Sequence, residues 1–89
     1  MDAEQFKKSM LADGFECREF SAEAHTHNPS HTHPWHASLF ILDGELILTT
    51  PEGTKTFGPG ENCEVPANTQ HSEMIGNAPF KALLATKQP

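Results

Sequence analysis

Turn signals punctuate this chain about every eight to ten residues from position 43 onward. They are Asp43-Gly44, Pro51 to Thr54, Gly58 to Glu61, Pro66 to Thr69 and Gly76 to Pro79. Segments so short leave no room for ordinary helices, and short strands at this pitch mark an antiparallel sandwich or small barrel. Asp43-Gly44 separates two β-rich runs, Ser38 to Leu42 and Glu45 to Thr50, and Asp-Gly is the strongest short hairpin marker, so a hairpin is expected there. Before the turns begin, Ala3, Phe6, Met10 and Leu11 recur at helical spacing, with Asp2 placed to cap and Gly14 to stop. That pattern predicts one short amphipathic helix. FECREFSAEA, residues 15–24, suits a strand, but its alternation shows no clean apolar face and leaves its facing undetermined. With 89 residues there is room for one core. Residues 1–14 are therefore read as an N-terminal helix and 15–89 as a single all-β domain.

Charge narrows the function. Six Lys+Arg against 12 Asp+Glu give a formal net charge of −6, which leaves phosphate neutralisation without a source and argues against a nucleic-acid partner. No apolar run reaches the length of a signal peptide or a membrane span, which predicts a cytoplasmic protein with no membrane partner. Cys17 and Cys63 are the only cysteines and form no CxxC. They cannot build a disulfide framework or a zinc ribbon and are expected as buried reduced thiols.

Histidine is the anomaly: of six in the chain, His25, His27, His31, His33 and His36 fall within one short stretch. In extended chain, side chains two apart project to the same face with Cα atoms ~6.6 Å apart. His31 and His33 can thus share one divalent ion if other strands supply further ligands. His71 is the only distant histidine, and antiparallel folding can return it opposite the pair. The competing reading is an exposed His-rich loop that binds metal weakly and without selectivity.

The spacing around these histidines resembles the cupin superfamily, small β-barrels of jelly-roll type. Its first motif runs Gly, five residues, His-x-His, three or four residues, Glu, six residues, Gly. Here His31-Thr32-His33 is followed by Ala37 at the Glu position and, six residues later, by Gly44. Its second motif runs Gly, five residues, Pro-x-Gly, two residues, His, three residues, Asn. Gly60, Pro66 and His71 hold their places, with Asn68 for Gly and Ile75 for Asn. Asn tolerates the left-handed conformation such a turn requires. His25 stands at the first motif's Gly, so a loop is expected there, and Asn28-Pro29-Ser30 is expected to break any strand joining His27 to His31.

The resemblance implies a small antiparallel jelly-roll barrel holding one divalent ion (Fe, Zn, Ni, Cu or Mn) on His31, His33 and His71. Ala37 places the chain with the minority of cupins that lack the motif carboxylate. Glu73, on the face of His71 if the strand is regular, can supply a fourth ligand or hold an imidazole in one tautomer; His36 can do so only if a bulge rotates it inward. For both, a solvent-exposed polar residue is the alternative. Trp35 and Phe40 are candidate walls of a ligand pocket, and Leu39, Ile41, Leu46, Leu48, Val65, Leu83 and Leu84 are expected to line the barrel. Two functions compete: a module that binds or senses a small organic ligand, and a non-haem metal-dependent dioxygenase, not of the thiol type. A purely structural barrel would make the spacing a coincidence. Small cupins commonly pair through their sheets, which implies a homodimer.

Overall fold

In the computed structural model, which describes residues 1–89, the N-terminal segment forms helix α1, Ala3–Ala12. The Asp2 carboxylate accepts the Gln5 N–H while the Gln5 side chain accepts the Asp2 N–H. This reciprocal box satisfies two donors that the first turn leaves without helical partners. Gly14, at φ 86°, ends the helix as expected. Lys87 Nζ donates to the Asp13 carbonyl at 2.6 Å, placing a cation at the negative end of the helix dipole.

Eight strands follow: β1 (Glu16–Ala22), β2 (His27–His31), β3 (His36–Asp43), β4 (Leu46–Thr50), β5 (Gly53–Phe57), β6 (Asn62–Val65), β7 (His71–Ile75) and β8 (Phe80–Lys87). They form two antiparallel four-stranded sheets, β1-β8-β3-β6 and β2-β7-β4-β5. Leu39, Ile41, Leu46, Cys63, Ile75, Phe80 and Ala82 form the core between the sheets. A smaller patch of Ala37, Leu48 and Val65 extends it toward the histidines. Outside the first sheet, α1 lays Phe6 against Phe40, with ring centres 5.5 Å apart.

Four expectations are corrected. Asp43-Gly44 does not close a hairpin: β3 pairs with β6 and β8, whereas β4 pairs with β5 and β7. The turn carries the chain from one sheet to the other. Gly44 has φ 80°, and a Cβ there would lie 2.5 Å from the Pro79 carbonyl oxygen, so glycine is required by a close approach of backbone at the crossover. The two-residue hairpin lies one turn later, where Thr50 pairs with Gly53.

Asn28-Pro29-Ser30 does not break the strand. β2 runs through it with a register shift between Asn28 and His31, tolerated because β2 is a sheet edge where proline costs no ladder bond. Phe40 and Leu83 face α1 rather than the space between the sheets. Ala37 to Ile41 are all buried, so β3 is covered on both faces and its alternation carries no polar marker of direction.

Candidate metal centre

His31 ends β2, His71 begins β7, and the two are directly registered partners. His33 follows in the connection to β3, held there because its carbonyl accepts the Asn68 N–H at 2.8 Å. Asn68 reaches that bond in the left-handed conformation, φ 63°, which is the role expected for the residue that replaces the motif glycine. The ring centres of His31 and His71 lie 4.4 Å apart, those of His33 and His71 5.0 Å, and those of His31 and His33 6.0 Å. One nitrogen from each of the three rings falls within 4.8 Å of the others.

Each imidazole is oriented by the backbone. Nδ1 of His31 bonds the Pro29 carbonyl at 2.7 Å, Nδ1 of His33 the Trp35 carbonyl at 3.0 Å, and Nδ1 of His71 the Thr69 carbonyl at 2.8 Å. A carbonyl only accepts, so Nδ1 carries the proton in all three rings and Nε2 is left with its lone pair. Glu73 Oε1 lies 3.6 Å from His31 Nε2 and 3.7 Å from His71 Nε2. With both rings in the neutral tautomer, these Nε2 atoms and the carboxylate would all be electron-pair donors around one gap, an arrangement that a cation suits.

The pocket bearing this cluster has a volume of about 530 Å³ between the sheets and is lined by the histidines, Glu73, Ala37, Leu39, Leu84 and Arg18 among others. Trp35 lines its rim and stacks on His33, with centroids 4.6 Å apart and planes 4° from parallel. Phe40 has no part in it. Burial pushes the Cys63 thiol up to about 12, and the negative charges of Glu73 and Glu64 push it the same way. Burial also raises the Cys17 thiol, with Lys7 opposing. Both cysteines are free; Cys63 is buried and Cys17 half-buried.

A family model for the cupin domain matches residues 18–85, most of the chain. The chain is a cupin. No curated protein matches it. Among solved structures, this cupin resembles the polyketide cyclase RemF from Streptomyces resistomycificus at 27% identity and TM-score 0.70, over 85% of this chain and 58% of that one. A protein of unknown function from Streptococcus pyogenes matches at 24% identity and TM-score 0.72, over 84% of this chain and 65% of that one. A cupin superfamily protein from Desulfitobacterium hafniense matches at 23% identity and TM-score 0.72, over 84% and 68%. The cupin thus spans less than two thirds of the first two proteins' length.

The structure therefore brings together His31, His33, His71 and Glu73, with Trp35 at the rim. His36 stands outside the cluster: its Nδ1 accepts the Ala67 N–H at 3.0 Å and holds the turn that precedes His71. His25 lies in a turn at φ 64° and His27 is exposed on β2. Ala37, in the place of the motif glutamate, contributes an apolar wall. Sequence reasoning missed the three carbonyls that set the imidazole tautomers, because backbone acceptors leave no mark on residue identity. It also left Arg18 unplaced: on β1, Glu16, Cys17, Arg18 and Phe20 all line the cavity, Arg18 as an exposed residue, and Cys17 also packs against the cluster beneath α1.

Proposed function

We propose that this cupin binds one divalent cation on His31, His33 and His71 and takes a small organic molecule in the adjoining cavity, as a binding or sensing module. The observation that carries this reading is the shared orientation of the rings. Each Nδ1 is bonded to a backbone carbonyl, which leaves Nε2 as the atom each ring can offer, and one nitrogen from each ring lies within 4.8 Å of the others. Neutral imidazoles suit several transition metals, and an ion held there would supply Lewis acidity with positions left open to a ligand. The likeness to a polyketide cyclase supports an organic ligand.

Element analysis of protein purified without an affinity tag tests this. One equivalent of a divalent metal is expected, and it is lost in His31→Ala, His33→Ala and His71→Ala; unchanged stoichiometry in all three variants would overturn the reading. Ala37 at the carboxylate position also suits the alternative, a non-haem dioxygenase not of the thiol type. The metal found separates them, because zinc has no redox chemistry: zinc supports the binding module and iron the dioxygenase.

Assembly and location are part of the same proposal. Met74 is exposed beside Ile47 and Thr49 on the outer face of the second sheet, which no helix covers. A homodimer through that face would bury it. No helix is long and apolar enough to cross a membrane, and the free thiols fit a reducing compartment, the cytoplasm.

A further inference from the structure

The 530 Å³ cavity has a mixed lining. The histidines and Glu73 line it together with an apolar wall of Phe20, Leu39 and Leu84, and Arg18 lines it from the edge strand β1, at the seam with the edge strand β2, whose Asn28 and His31 line it too. Arg18 is registered with Leu84, which is in turn registered with Leu39. The guanidinium is thus the end of a row whose other members on that face are apolar. It is also the only basic side chain other than histidine lining the cavity.

Arg18 has no partner. The only close contacts between a carboxylate and a basic side chain are those of Glu73 with His31 and His71. Glu16, two residues away and also lining the cavity, makes no ion pair with it. A guanidinium always carries its charge and presents a fork of donors that matches a carboxylate. In a chain of net charge −6, an exposed cation that lines the cavity and is unclaimed by any of the chain's own carboxylates is available to an anion from outside.

We propose that the ligand of this cavity is an organic monoanion with an apolar body, its charged group held by Arg18 at the seam and its body laid along Phe20, Leu39 and Leu84. Glu16 sets the limit to one charge, because a second negative group at the seam would meet its carboxylate. This rests on the cavity being a ligand site, as in the function proposed above, but not on the cation, since Arg18 is not one of the candidate metal ligands.

The test uses benzoate and its neutral analogue benzamide, titrated into the isotopically labelled full-length chain with and without bound zinc and followed by amide and arginine side-chain NMR shifts. Benzoate is expected to bind about tenfold more tightly than benzamide in both forms, the worth of one charge-assisted hydrogen bond, with shifts confined to Arg18, Phe20, Leu39, Leu84 and their neighbours. Arg18→Gln should erase the preference without changing zinc stoichiometry, and Glu16→Gln should strengthen benzoate binding. Equal binding of the two probes, a preference that survives Arg18→Gln, shifts outside the cavity, or no binding of benzoate overturns the proposal. Failure of the metal reading would show separately, as absent zinc binding alongside an intact Arg18-dependent preference.

Discussion

His31 and His71 are registered partners across the β2–β7 ladder, their ring centres 4.4 Å apart. The pairing follows from the register shift after Asn28, which brings His31 opposite the first residue of β7. Both rings turn Nδ1 back to a carbonyl two residues earlier in the chain, Pro29 for His31 and Thr69 for His71. The two strands thereby present equivalent Nε2 lone pairs to one space, and Glu73 approaches both from the β7 side.

Glu73→Gln keeps the side chain's size and removes its charge. Because the carboxylate stands 3.6 and 3.7 Å from two Nε2 atoms, the substitution is expected to weaken metal affinity by about 10- to 100-fold, as for outer ligands and their supports. Isothermal titration of zinc into the metal-free protein measures it. Wild-type affinity would reduce Glu73 to a bystander and leave the three imidazoles acting alone.

The Cys63 thiol, raised from the ordinary value of 9.0 to about 12 by burial and by Glu73 and Glu64, makes folding sensitive to alkali. Between those two values the unfolded chain releases a proton that the folded chain keeps, so stability is lost as pH rises above 9.0. Urea midpoints should fall, by roughly 1 kcal/mol of stability near pH ~10, and Cys63→Ala should flatten that slope whatever its effect at neutral pH.

Ser38 is 2% exposed and its hydroxyl oxygen has no hydrogen-bond partner. A buried hydroxyl without a partner costs about 1–3 kcal/mol, so Ser38→Ala is expected to raise the thermal midpoint. A lowered midpoint would show that the hydroxyl is satisfied in solution.

Met74→Lys places a charge on the outer face of the second sheet, where Met74 is 43% exposed. Light scattering should show a dimer for the parent chain and a monomer for the variant, with metal content unchanged. A monomeric parent at high concentration removes the dimer.

The residues that were legible in the sequence are those whose conformation is decided locally. Asp2 and Gly14 bound the helix through their own caps, Asn68 takes the left-handed turn that its short polar side chain tolerates, and the His-x-His spacing survives in the converging rings. What was not legible depends on partners distant in the chain. Asp43-Gly44 specifies a tight turn but not which strands flank it as neighbours. Phe40 lies on a strand buried on both faces, so nothing in the alternation told the helix side from the cavity side. Phe20 could be faced inward only once it was seen to pack against the core between the sheets.

The candidate ligands share an uneven placement. His31, His71 and Glu73 lie on strands of the second sheet, and His33 is tied by its carbonyl to Asn68 in the turn leading into β7; none comes from β1, β3, β6 or β8. A cation on these groups would fasten the edge strand β2 to its neighbour while leaving the first sheet unclamped. Coordination there would tie strands within one layer, and the grip between the two layers would remain the work of the apolar side chains packed between them.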